Sequence, residues 1–136
     1  METIDLKDDI NVFYMTAENF PEGIQQTFDA LTETVPDAQE RTYFGISNGA
    51  PNGKIVYKAA IQASSEEKVP AGCSVQTIHK GRYRAITITD WRSHMNSFSE
   101  AFMTLLKDPD MDTTHPCVEW YHENESVRCM IRLRSL

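Results

Sequence analysis

The chain contains no apolar run long enough to cross a bilayer. Its opening residues, METIDLKDDI, lack the basic start and apolar centre of a secretory leader. Cysteine is scarce: Cys73, Cys117 and Cys129 are an odd count with no C-x-x-C spacing, which argues against a disulfide framework. The four histidines (His79, His94, His115 and His122) form neither H-x-x-x-H nor H-E-x-x-H, so no metal is expected. No P-loop, G-x-G-x-x-G or G-x-S-x-G occurs, and no cofactor is expected either. Positive charge is also short, with 13 Lys and Arg against 20 Asp and Glu and a net charge of −7. That balance disfavours a nucleic-acid partner, which needs a concentrated basic face. Arg128, Arg132 and Arg134 share one face of a terminal strand and read as a solvated sheet face or edge. These absences leave a cytoplasmic chain that binds neither membrane nor nucleic acid as the expectation.

What remains is 136 residues with 40% hydrophobic and 24% charged content, enough for one domain with a real core. The β-prone run Ile10 to Met15 predicts a strand. Ala17 to Glu22 turns the chain, with Pro21 suited to a first helical turn. Phe20, Ile24, Phe28, Leu31 and Val35 then recur at helical spacing until Pro36-Asp37. Strands are predicted at Arg41 to Ser47 and Lys54 to Ala63, joined as a hairpin by the turn-rich Asn48 to Gly53. Ser64 to Gly72 reads as a linker. Beyond it, Cys73 to His79 and Arg82 to Thr89 alternate as strands around Lys80-Gly81. Met95, Phe98, Phe102, Leu105 and Leu106 mark a helix stopped by Lys107-Asp108-Pro109. After an acidic loop, two more strands are expected. The first holds Glu119, and the second is Ser126 to Arg134 with Cys129, Ile131 and Leu133 inward.

The halves echo each other. Phe28-Asp-Ala-Leu31 followed by Pro36-Asp37 matches Phe102-Met-Thr-Leu105 followed by Pro109-Asp110. Each half reads strand, helix, strand, strand, over residues 10–63 and 73–134 of a single domain spanning 1–136. The expected fold is α+β, two duplicated halves forming a shared antiparallel sheet. Both helices would lie on one face and a ligand cleft on the other.

One stretch concentrates the chemistry: His115-Pro116-Cys117-Val118-Glu119-Trp120-Tyr121. As a strand it puts Cys117, Glu119 and Tyr121 on one face and Val118 and Trp120 on the other. Both faces are largely apolar, and a carboxylate there is costly unless something pairs with it. Glu119 thus reads either as a wet surface group or as a charge awaiting a cationic or polar ligand. Cys117 and Cys129 are expected to face each other across the last hairpin as small hydrophobes.

In order and motif the chain resembles the GyrI-like effector-binding domains, found also as drug-sensing modules of multidrug-responsive transcription regulators. The resemblance rests on Tyr43-Phe44-Gly45-Ile46, Tyr57, Ile78-His79-Lys80-Gly81-Arg82-Tyr83 and Glu119-Trp120-Tyr121. The third segment resembles the family's Pro-Ala-Gly-x-Tyr and the last its Glu-x-Tyr strand. Two departures, His79 for a common Pro and Asp90-Trp91 for a Gly-Pro-like turn, bear on the cleft rim. The resemblance implies that Glu119 is the central acidic residue facing a cationic ligand. It also implies that Tyr121, Tyr43 and Tyr57 line the cleft. Trp91 would close a rim or anchor the helix, and Trp120 would pack beneath the helices.

The leading functional expectation is a stand-alone small-molecule binding domain for amphipathic, cationic or aromatic compounds. An alternative is a hydrolase of strained-ring, cyclopropane-type toxins, in which Glu119 orients or deprotonates water and Tyr121 donates a proton. A third is an interaction protein resembling the gyrase-inhibitory members. A protein partner or a homodimer is left open by the sequence.

Overall fold

The computed structural model describes residues 1–49, 53–64 and 66–135. In chain order the elements are β1 (Glu2–Leu6), β2 (Ile10–Thr16), α1 (Ile24–Thr34), β3 (Tyr43–Gly49), β4 (Ile55–Gln62), β5 (Ser74–Ile78), β6 (Gly81–Ile88), α2 (Ser97–Leu105), β7 (Cys117–Tyr121) and β8 (Val127–Arg132). Strands and helices are both present and the strand pairs described are antiparallel, so the class is α+β. Of the turn expected at Asn48 to Gly53, residues 50–52 lie outside the described residues, and Asn48 and Gly49 extend β3.

Two compact units divide the chain. The first is Asp9–Ile78; the second combines Met1–Asp8 with His79–Leu136. In the first unit the strands run β3, β4, β2, β5. The aromatic and branched residues of β2 suit a pleated, half-buried surface. Alternation sends Phe13 and Met15 to one face, where they meet Ala59 and Ile61 of β4 and Leu31 of α1. Val12, fully buried, takes the other face.

Helix α1 is shorter than its periodicity suggests, because Phe20-Pro21 stands in the turn before it and Val35 is its C-terminal cap. Gly23 begins the helix, where a Cβ would come within 2.7 Å of the Asn19 carbonyl oxygen. The linker is anchored rather than loose. Arg41 reaches across it to the Gln62 carbonyl at 3.0 Å and makes a bidentate pair with the carboxylate of Glu67. Glu67 also accepts the Ser64 backbone N–H at 3.1 Å. Arg41 above all, then this amide, holds the Glu67 carboxyl at about 2, well below its ordinary value.

In the second unit the order is β7, β8, β6, β1. Helix α2 buries Ala101 and Leu105, four residues apart, against Ile88, Val127, Cys129 and Ile131, with Phe98 and Phe102 packed alongside. Met95 and Leu106 do not join that stripe and are 60% and 53% exposed. Met95 precedes the first turn, and Leu106 is rotated about 100° from Leu105, away from the sheet.

The sequence reading contained no strand at Glu2–Leu6. With it, the two units have matching strand orders: a hairpin, then the strand before the helix, then one further edge strand. That edge strand is exchanged along the chain. β1 precedes β2 yet pairs with β6, and β5 precedes β6 yet pairs with β2. The chain therefore passes from one unit to the other at Ile78-His79, just before Lys80-Gly81, and β5 and β6 do not pair with each other. Gly81 sits at φ +144°, and a Cβ there would lie 2.7 Å from the Arg132 guanidinium. The backbone angle calls for glycine, whereas the long Arg132 side chain could move aside.

Candidate functional site

The local rule that builds the site is strand alternation in β7. Cys117 and Tyr121 pack with the α2 cluster of Ala101, Leu105, Val127, Cys129 and Ile131. Glu119, between them on the same face, stands opposite Cys129, as Tyr121 stands opposite Val127. The carboxylate thus lies on the helix-bearing side of this unit's sheet, whereas the sequence reading looks for the cleft on the helix-free side. Both faces of β7 are apolar, so periodicity alone does not tell them apart.

Two residues apart on one face, Glu119 and Tyr121 meet: the Tyr121 hydroxyl donates to Glu119 Oε1 at 2.7 Å, half-buried. Around Tyr121 stand two more rings. Trp91 meets it edge-on at 5.2 Å, and Phe98 of α2 lies 6.5 Å away. Trp91 and Phe98 are themselves edge-to-face at 6.0 Å, so Trp91 both borders Tyr121 and braces the helix. Its position is fixed by its backbone N–H, which donates to the Glu125 carbonyl at 3.1 Å. The Arg92 guanidinium covers it at 4.5 Å while pairing with the Glu125 carboxylate at 2.9 Å.

The neighbouring thiols register the charge of Glu119. Burial pushes the Cys129 thiol up strongly, and Glu119 and Cys117 add to the effect. Burial followed by Glu119 raises Cys117 as well. Neither is an activated nucleophile. Nor are the two directly opposite each other as expected, since the ladder sets Cys129 against Glu119.

Trp120 departs from the expectation that it packs beneath the helices. It points away from the α2 face, stacks on His122 at 5.2 Å and carries the Arg128 guanidinium at 5.4 Å. Burial, then Arg128, lowers the His122 pKa.

Tyr43 and Tyr57 belong to the first unit, where they meet through Phe28. Phe28 stacks on Tyr43 at 6.0 Å and meets Tyr57 edge-on at 6.4 Å, with Phe20 stacked on Tyr57 at 5.6 Å. Tyr57 is only 1% exposed and belongs to the core as much as to any surface. Burial raises the Tyr43 hydroxyl pKa. Each unit therefore carries an aromatic group beside its helix: Phe20, Phe28, Tyr43 and Tyr57 in the first, Trp91, Phe98 and Tyr121 with Glu119 in the second. Sequence reasoning assigned Phe20, Phe28 and Phe98 to helix packing alone. Their place four or fewer positions from a helix start was the available signal.

Neither a protein-family model nor a curated protein matches this chain. Solved structures do. The chain is similar to SAV2435 bound to tetraphenylphosphonium at 13% identity and a TM-score of 0.67, over 98% of this chain and 93% of that one. It is similar to an integron cassette protein from the mobile metagenome of Vibrio cholerae at 10% identity and TM-score 0.72, covering 98% and 95%. A bacterial transcription regulation protein from Staphylococcus aureus MU50 matches at 12% identity and TM-score 0.60, covering 98% and 97%. At these identities the likeness establishes the fold, and that fold is the one implied by the resemblance to the GyrI-like effector-binding domains.

Proposed function

We propose that this chain is a small-molecule binding domain whose preferred ligand places positive charge on an aromatic frame. The observation that carries the reading is the Tyr121–Glu119 hydrogen bond inside the Trp91–Phe98–Tyr121 group. The tyrosine holds the carboxylate in one orientation, so an arriving cation meets charge already in place and little ordering cost is added. The rings contribute through their faces to any cationic or aromatic group. Support comes also from the structural neighbour solved with tetraphenylphosphonium, a cation with four phenyl rings. Tyr43 is part of the proposal as an aromatic contact of the first unit, suited to uncharged rings, with the buried Tyr57 supporting it through Phe28. Among the described residues no helix is long and apolar enough to cross a membrane.

Glu119→Gln keeps the side-chain shape and removes the charge. By isothermal titration, the variant should lose about 1–3 kcal/mol of affinity for tetraphenylphosphonium, the range for an interaction with a charged group. Affinity for triphenylphosphine oxide, aromatic but uncharged, should change far less. Equal affinity of wild type and variant for the cation would remove Glu119 from the site. Hydrolysis of a cyclopropane electrophile by the wild type, lost in the variant, would move the assignment to the enzyme alternative.

A further inference from the structure

The face of the second unit's sheet turned away from α2 carries a separate group. In the ladders Arg128 of β8 stands between Trp120 of β7 and Thr87 of β6, so these three side chains share that face. His122, just past β7, is stacked on Trp120. Among the described residues two buried side-chain polar atoms lack a hydrogen-bond partner, and both are in this group: His122 Nε2 and Arg128 Nε. The Glu2 carboxylate stands 3.9 Å from Arg128 Nε, past hydrogen-bond reach, and accepts the Thr87 hydroxyl at 3.4 Å. Arg Nε–H is always a donor, and a neutral imidazole can carry its proton on Nε2. An enclosed donor with nothing to accept its proton is costly, and native structures pair nearly all of them.

The first unit has a cation at the same ladder position, and there it is matched. Lys58 of β4 stands between Ile46 and Thr16 as Arg128 stands between Trp120 and Thr87. Its ammonium donates to Gln76 at 2.8 Å and lies 4.6 Å from the centre of the Tyr14 ring. Counted along the ladders, Gln76 and Tyr14 correspond to Ile4 and Ala85, which offer neither an acceptor nor a ring. The Arg128 side chain keeps 27% exposure, which opens the guanidinium to solvent.

We infer that the Trp120–His122–Arg128 group binds a small oxyanion, a carboxylate or a phosphate, through the guanidinium and His122 Nε2. The planar guanidinium fork matches two acceptor oxygens at once. Trp120 borders both donors through its ring, the imidazole at 5.2 Å and the guanidinium at 5.4 Å. Glu2 is the competing anion at the rim. The inference is independent of the ligand assigned to Glu119, which lies on the other face of β7.

The test is NMR of the nitrogen-labelled chain at neutral pH, following Arg128 Nε–H and the His122 ring nitrogens. Sodium chloride is exchanged for sodium acetate or sodium phosphate at constant ionic strength. At least one of the two anions should shift these signals saturably, and the tighter one tells carboxylate from phosphate. Arg128→Gln should abolish the saturable shift of His122. Arg128→Lys keeps the charge without the fork and should weaken binding about fivefold or more. Glu2→Gln removes the competitor and should tighten it about two- to fivefold, the scale of an exposed ion pair. The absence of a saturable shift with either anion would overturn the inference, leaving the two nitrogens to water. So would His122 shifts that survive Arg128→Gln. An Arg128 Nε–H signal that moves on Glu2→Gln but not with either anion would also overturn it, since Glu2 would then be the resident partner.

Discussion

The two units share a strand order but not a chemistry. The spacing that separates Phe28 from Phe102 and Leu31 from Leu105 also separates Gly45 from Glu119. The ladders agree: Gly45 stands opposite Ala59 in β4, and Glu119 stands opposite Cys129 in β8. Where the second unit holds a carboxylate, the first holds no side chain at all. The aromatic groups persist on both sides of the comparison, beside α1 and beside α2. A repeated scaffold thus keeps its packing positions, while one ladder position is open to carry charge in one copy and none in the other. Packing constrains Leu31 and Leu105 alike, because both are fully buried.

The equivalence of the cores is the part most sharply exposed to experiment. Leu31→Ala and Leu105→Ala should each cost about 2–5 kcal/mol in urea denaturation, the range for emptying a buried leucine site. A large cost in one unit and almost none in the other would break the comparison. Next in size is the Glu119→Gln loss already described, followed by Tyr121→Phe. That variant frees the Glu119 carboxylate from its fixed orientation and should lower tetraphenylphosphonium affinity by less than Glu119→Gln does, since only the ordering cost changes. Tyr43→Phe in the first unit should leave affinity for the cation nearly unchanged in the same titration.

Each unit also holds an Arg–carboxylate pair, and these differ in how much the arginine matters. The folded pKa of Glu67, about 2, lies below its unfolded value. Its stabilising contribution is therefore complete above the ordinary carboxylate range and is lost as pH falls through it toward 2. Arg41→Gln should flatten that acid limb in unfolding midpoints taken between pH 5 and 2.5. Asp108 is lowered first by the Asp110 backbone N–H and only second by Arg84. Arg84→Gln should act in the same direction and to a smaller extent.

The smallest effect is in thiol labelling. Cys73 of the first unit is raised by burial alone, whereas Cys117 is raised by burial and by Glu119. Glu119→Gln should speed the reaction of Cys117 with a disulfide reagent at pH 8 and leave Cys73 unaltered. A change at Cys73 would show that the substitution loosens the fold rather than the local field.

Much of this was legible in the residues. Both helices, the strands of each hairpin and the echo between halves follow from periodicity, because buried faces repeat at the period of the element. The Glu119–Tyr121 pairing follows from alternation in a strand. Helix ends were less legible: Phe20, Val35, Met95 and Leu106 have helical spacing, yet the turn before α1 and the rotation after Leu105 put them outside. The side on which α2 lies was hidden because Val118 and Trp120 are as apolar as Cys117 and Tyr121. Strand β1 was hidden for another reason. Its short ETIDL pattern gains meaning only from a partner, Gly81 to Ala85, most of the chain away.

That distance sets an order of events during synthesis. The first unit, Asp9–Ile78, is a continuous segment and has all its strands once β5 is made. The second is not: Ile4 and Leu6 of β1 are translated before the rest of it, and their partners Tyr83 and Gly81 follow some seconds later at roughly 5–20 residues per second. Until then β1 is an unpaired strand bearing two branched apolar side chains. The charges that surround them, Glu2, Asp5, Lys7, Asp8 and Asp9, are suited to keep such a segment in solution while it waits.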